Sequence, residues 1–334
     1  MSVPGVWAGL ANSPFLADVD RRDMDAARIV GAVLGGLIVG VVAALAAMIL
    51  VLALYTLIVG LGGGGMDGLT RVLLQLQRVA PPDLKLTILE LLVAAAVNGA
   101  FAATFVAVAA LLAGHPFHNY VTAARQVRWR LLGVGVVASL IVLGPVVAAD
   151  RLVSGEPGAT PLLAIGPRAL ERVGYGLSAL LLIPAAAAEE LLFRGWLMRQ
   201  VAAFVRRPAI LIGATAVVFS AAHLDFSADG FLTRVLMGAG FAYMTLRLGG
   251  IEFSTGAHAV NNILIVLFVQ PLTLQNPSGP SGLSFGSLVE DAAMVAGYVA
   301  ITEAVVRFGA LRRWAGVKAV ELSAVCAEAR APAP

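Results

Sequence analysis

From Ile29 to Gly60 the chain carries no Asp, Glu, Lys, Arg or His. A bilayer's hydrocarbon core is about 30 Å thick, and about 20 apolar residues of helix cross it. This run is longer than that, so it reads as one long or tilted span. In hydrocarbon every backbone N–H and C=O must find a partner within the segment, which makes the run helical. The rest of the chain follows suit. Of the 334 residues, 59% are hydrophobic and 13% charged, against about 25% charged in a soluble domain. A soluble surface cannot keep so much apolar side chain dry, and disorder needs low hydrophobicity and high net charge. Both classes are excluded. The expected fold is all-α, a polytopic membrane protein with about eight transmembrane helices.

The spans are read at about 29–60, 91–114, 131–149, 173–198, 208–226, 234–247, 253–273 and 292–311, the sixth being the weakest. Residues 1–28 form a polar segment in which Asp18, Asp20, Asp23 and Asp25 alternate with Arg21, Arg22 and Arg28. Gly60 to Gly68, Pro161 to Glu171 and the Pro, Ser and Gly-rich stretch 274–289 read as connections. Four units follow: 1–28, a cytoplasmic N-terminal segment; 29–172, helices of unassigned role; 173–273, which holds the ionisable motifs; and 274–334, a loop, the last span and a tail. With eight crossings and both termini in the cytoplasm, sixteen of the 23 Lys and Arg residues fall on inner segments, as the positive-inside rule requires. Only Lys85 and Lys318 are lysines. Together with the Ala, Gly and Val excess, this composition points to a GC-rich, bacterial genome and a cell-membrane location. The net charge of +3 comes without a basic run, so no nucleic-acid partner is expected. The single cysteine, Cys326, permits no intrachain disulfide.

Ionisable groups inside spans each cost about 2.5–3.5 kcal/mol at mid-bilayer and need a reason. The fourth span ends in Glu189-Glu190-Leu-Leu-Phe-Arg194. Glu190 and Arg194 share a helix face and can pair, while Glu189 is rotated by about 100°. The fifth span holds Phe219 and His223. The seventh holds His258 and Asn262, four apart on one face, with Asn261 set aside as pointing elsewhere. Glu190 lies 16 residues before Arg206 and His223 lies 16 after Arg207. In an antiparallel hairpin they sit at matching depth, and the polar groups of three helices can meet in one layer on the cytoplasmic half.

Glu-Glu-x-x-x-Arg, Phe-x-x-x-His and His-x-x-x-Asn, in that order within an apolar stretch, resemble the CPBP family. These are the CAAX-processing and bacteriocin-processing (Abi) intramembrane endopeptidases. The resemblance covers about 175–270 and makes 173–273 the expected catalytic core. It implies hydrolysis of a peptide bond in a membrane protein or lipidated peptide held in the lipid bilayer. The site residues it implies are Glu189, Glu190, Arg194, His223, His258 and Asn262. Glu189 is the candidate base that activates a water, and His223 and His258 position it or polarise the carbonyl. Asn262 donates to the oxyanion, and Glu190 with Arg194 is the brace. The two glutamates could exchange roles. Two His and one Glu also form a known catalytic zinc set, although His-Glu-x-x-His is absent. No cofactor is expected, and a divalent metal at Glu189, His223 and His258 stays open. The alternative is a proton-coupled transporter that uses the same buried groups, although such folds carry repeated halves and here the motifs fall in one half. A non-catalytic scaffold is the third reading. The substrate and the oligomeric state are not legible.

Overall fold

The computed structural model describes residues 5–61, 84–154, 168–269 and 285–317, with Asp67, Thr70 and Leu163 as isolated positions. Most of the glycine-rich connection after Gly60, of the loop around Pro161, of the stretch 274–284, and the tail with Cys326 lie outside the described residues. Among the described residues there is no strand, only a single antiparallel bridge between Thr122 and Gly250. The elements are α1 (Val6–Ala11), α2 (Ala26–Leu61), α3 (Leu84–Ala113), α4 (Trp129–Ser154), α5 (Ala169–Phe204), α6 (Pro208–Ala221), α7 (Ala228–Leu248), α8 (Glu252–Val269), α9 (Phe285–Arg307) and α10 (Gly309–Trp314).

The eight expected spans fall one for one on α2 to α9, so the all-α polytopic reading holds. Five of these helices are long and apolar enough to cross a membrane: α2, α3, α4, α5 and α8. The apolar α6 has only 14 residues, about 21 Å at 1.5 Å per residue, and ends at Ala221 rather than 226. The seventh and ninth helices are not among the five; α7 carries Asp229, Arg234 and Arg247, and α9 carries Glu290, Asp291, Glu303 and Arg307. Helix boundaries also move. The weak sixth span begins at Ala228, and α9 starts at Phe285, inside the expected loop. Capping sets several ends. Pro208 opens α6 at a position whose N–H is not needed. Ser227 caps α7 by accepting from the Gly230 N–H, and Gly249, at φ 74°, closes it in the left-handed conformation.

The segments expected on the inner side gather at one end. Ser13 Oγ donates to the Leu246 carbonyl and Arg206 donates to those of Leu16 and Val19. The backbone of Ala123 and Ile251 pairs with Gly249 and Val121, and Arg130 lies over the Trp314 ring. Residues 5–25 are not a loose polar tail. Leu10, Phe15, Leu16 and Val19 are buried against Met198, Ala202, Leu211, Ala242 and Leu246. The buried guanidinium of Arg199 donates to the Phe15 carbonyl at 2.6 Å and to Asp18 at 2.7 Å. Burial raises the Asp18 pKa, but the hydrogen bond and charge of Arg199 outweigh it and hold the carboxyl below its ordinary value.

At the centre, α8 packs against α4, α5 and α7. Its crossing with α4 is close because both helices present glycine. A Cβ on Gly135 would overlap the Phe253 carbonyl, and one on Gly256 the Leu132 carbonyl. The two backbones therefore set the position of α8, and with it that of His258.

Candidate active site

The fifth helix is not regular, and its irregularities bracket the site. Pro184 has no N–H to return to Leu180, and a tight turn at Ala179–Leu181 precedes it. The wide turns of a π-helix run from Leu191 to Leu197, directly after Glu190. Such segments are uncommon and concentrate at functional sites. Glu189 and Glu190 end the regular α-helical part, and Arg194 lies within the wide one.

Glu190 is fully buried and Arg194 is 1% exposed. Arg194 Nη1 donates to Glu190 Oε1 at 3.0 Å, and its Nη2 donates to the Gly238 carbonyl on α7 at 3.2 Å. Its guanidinium lies 4.2 Å from the centre of the Phe219 ring and 5.3 Å from that of Phe241. A buried charge is tolerable only when paired and hydrogen-bonded; these partners meet that need for Arg194, while Glu190 Oε2 is buried without a hydrogen-bond partner among the described residues. The expected Glu190–Arg194 pair is therefore present. It has a second function absent from the sequence reading: the same Glu190 Oε1 lies 2.9 Å from His258 Nδ1. The brace holds an imidazole, not only a helix. The His258 ring is also stacked on Phe241 at 4.9 Å. With Nδ1 directed at Glu190, the opposite nitrogen, Nε2, is fixed in direction.

That nitrogen meets Glu189. His258 Nε2 lies 3.6 Å from Glu189 Oε2, and His223 Nε2 lies 3.9 Å from the same oxygen. His223 is held from its other side, where Nδ1 donates to the Phe219 carbonyl at 2.9 Å. Glu189 Oε2 is buried and has no hydrogen-bond partner among the described residues. Separations of 3.6 and 3.9 Å are too long for direct hydrogen bonds, and a water can touch the carboxylate and an imidazole together only from beside the line that joins them. Three groups expected to converge thus do so, from α5, α8 and the turn after α6.

One expectation needs correction. The polar layer is expected on the cytoplasmic half, opening toward the side that holds Arg206, Arg207 and Arg247. His223 instead lies beyond the end of α6 remote from those residues, in the turn 222–227. Its side chain is 31% exposed and that of Glu189 28%, against 6% for His258. The open part of the site is at that turn, because the short α6 places its end there. Asn261, expected to point elsewhere, is buried and makes no hydrogen bond to the three groups among the described residues; its Nδ2 donates to Asn262 Oδ1 at 3.4 Å. Asn262 itself has no hydrogen bond to Glu189, His223 or His258 among the described residues. With its oxygen engaged by Asn261, the Asn262 amide N–H₂ is the end left to donate.

For a metal, ligand atoms about 2.0–2.1 Å from a tetrahedral zinc lie about 3.3 Å from each other. The Glu189–His separations exceed this. Among the described residues the only trio of His, Asp or Glu whose ligand atoms all lie within 4.8 Å is Asp20, Asp23 and His115, at the N-terminal end. There His115 pairs with Asp23 at 3.0 Å. As placed, the ligand atoms of Glu189, His223 and His258 do not all lie within 4.8 Å of one another.

Sequence reasoning missed Phe241 and the Gly238 carbonyl, both on α7. Neither has a motif signal, since an apolar residue on an apolar helix and a backbone oxygen look like any others.

Residues 173–264 match the family model of the type II CAAX prenyl endopeptidases, described as Rce1-like. The chain is also 26% identical over 161 residues to the uncharacterized protein YyaK of Bacillus subtilis (strain 168). That match covers 46% of this chain and 52% of the relative, so the chain spans about half the length of the curated relative it matches. No solved structure matches the chain. The matched family segment holds all six motif residues, Glu189, Glu190, Arg194, His223, His258 and Asn262. The resemblance drawn from three short motifs and the match of a whole segment therefore agree.

Proposed function

We propose that this chain is a CAAX-type intramembrane endopeptidase in which Glu189 activates water. The observation that carries this reading is the approach of two imidazole nitrogens, at 3.6 and 3.9 Å, to one buried carboxylate oxygen. A water there touches a base and two potential donors together. Glu189 takes its proton, the hydroxide adds to the peptide carbonyl, and negative charge develops on the carbonyl oxygen. Donors aimed at that oxygen lower the barrier, and the N–H groups of the imidazoles and the Asn262 amide are the candidates. Glu189 then returns the proton to the departing nitrogen, the C–N bond breaks, and a carboxylic acid and an amine leave. Glu190 orients His258 through Nδ1 and is itself held by Arg194. This gives the two glutamates separate tasks, with Glu189 facing the reaction and Glu190 behind it.

The reaction in this reading passes through water and residues of the chain alone. The catalytic core is assigned to 173–273, but it is not closed by itself: α3 packs on α5 and α4 on α8. The arginine-rich end that collects residues 5–25, 114–128, 205–207 and 308–317 is assigned to the cytoplasm by the positive-inside rule.

The test compares membrane proteomes of a strain expressing the wild type with one expressing Glu189→Gln, which keeps the shape and loses the base. Peptide fragments present only with the wild type are expected. Identical proteomes at equal protein levels overturn the reading and are what a proton-coupled transporter would give.

A further inference from the structure

The turn between α6 and α7 holds a conformation that its sequence does not favour. Leu224 has φ 55°, and no other non-glycine residue among the described ones has positive φ. Left-handed backbone costs an L-residue with a Cβ about 1 kcal/mol or more, which is why helices commonly end on glycine there. Gly249 and Gly114 take that conformation elsewhere in this chain. Leu224 takes it directly after His223, with its own N–H bonded to the Ala221 carbonyl.

The strain is held in place by a polar network behind the turn. Asp225 Oδ2 accepts from Arg234 Nη1 at 2.8 Å, and Asp225 Oδ1 accepts from the Ser227 N–H and hydroxyl. Arg234 also donates to the Gly230 carbonyl, and Ser220 Oγ on α6 donates to the Phe231 carbonyl on α7. With Asp225 pinned inward, its two neighbours point out. Leu224 is 74% exposed and Phe226 68%, and Phe226 is steadied by stacking on Phe231 at 6.2 Å. A lipid-facing leucine needs no strained backbone, since any regular helix position would present it. Strain that is over-determined by its surroundings and placed beside a site marks a functional position.

We infer that the turn 222–227 selects the substrate, with Leu224 and Phe226 forming an apolar platform for a large apolar side chain next to the bond that is cut. This rests on the endopeptidase reading. Leu224 follows His223 directly in the chain, so the exposed pair Leu224 and Phe226 borders the open part of the site, where the part-exposed His223 and Glu189 are reached.

The experiment uses the full-length protein in detergent with a mixed library of short peptides, cleavage sites being mapped by mass spectrometry. Matched peptides with Leu or Ser beside the cleaved bond are then assayed singly. For the Leu peptide, Leu224→Gly is expected to raise KM about tenfold, the scale on which an apolar pocket discriminates, and to leave kcat unchanged. The Ser peptide is expected to be cleaved as by wild type, and Leu224→Met to restore the preference. The melting temperature of Leu224→Gly is expected to be unchanged or higher, because glycine adopts the left-handed conformation freely. An unchanged cleavage profile in Leu224→Gly overturns the inference alone, as does a loss of kcat together with a lower melting temperature. A wild type that cleaves no peptide, or a Glu189→Gln variant that cleaves as well as wild type, defeats the endopeptidase reading and this inference with it.

Discussion

Arg194→Met separates the two tasks of the buried pair. Methionine keeps much of the apolar stem between Phe219 and Phe241 and removes the guanidinium. Glu190, fully buried, then keeps its 2.9 Å contact with His258 but loses its guanidinium partner, and the Gly238 carbonyl loses a donor. Breaking a buried pair by removing one partner costs about 3–5 kcal/mol. The lost contact with the Phe219 face, worth about 2 kcal/mol where desolvated, is part of that sum and not an addition to it. The single variant should therefore lose a large part of the margin of a typical fold, which is about 5–15 kcal/mol. The double variant Arg194→Met, Glu190→Leu removes both charges. Replacing a buried pair by apolar groups is often neutral, so its stability should return to within about 2 kcal/mol of wild type. Its activity should not return, because His258 Nδ1 has lost the carboxylate that directs its ring. Denaturant titration in detergent, with turnover measured on the same samples, checks both outcomes. Wild-type stability in Arg194→Met, or a double variant as unstable as the single one, refutes the argument that Arg194 serves to neutralise Glu190.

Gly135→Ala places a Cβ on the Phe253 carbonyl. It should cost about 1–3 kcal/mol, as overpacking does, and reduce turnover by displacing α8 and His258, which unfolding curves and turnover measured together will show. The Asp18–Arg199 clamp has a defined pH range. The Asp18 pKa is lowered in the folded chain, so its contribution is complete above the ordinary value of 3.8 and is lost as pH falls through the lowered one. Hydrogen-exchange protection over residues 5–25, taken relative to the intrinsic rate at each pH, should be the same at pH 7 and pH 5 and should fall only below about pH 4. Asp18→Asn should exchange faster already at pH 7.

Particular residues show where sequence reading stops. The uncharged run of α2 announces a membrane helix because hydrocarbon admits nothing else. The four-residue spacings of Glu190 with Arg194 and of His258 with Asn262 are legible because helix periodicity is local. The convergence of Glu189, His223 and His258 could be anticipated from ordered motifs and matching depth. The folding of residues 5–25 could not, since alternating Asp and Arg look the same in a solvated tail as in a clamp around Arg199. Nor could the open end of the site, because it depends on α6 stopping at Ala221, a boundary that no residue in an apolar stretch marks.

Sequence alone determined that this chain is helical and membrane-spanning, and that Glu190 and Arg194 share a helix face. Those properties follow from hydrophobicity and from spacing along one helix. Tertiary structure decided which nitrogen faces which carboxylate: His258 Nδ1 on Glu190, and both Nε2 atoms on Glu189. It also decided that Leu224 is held in the left-handed conformation beside the site. Both depend on the packing of α5, α6, α7 and α8 against one another. Contacts between helices far apart in sequence arise from shape and close approach, as at Gly135 and Gly256, which the order of residues along any one helix does not encode.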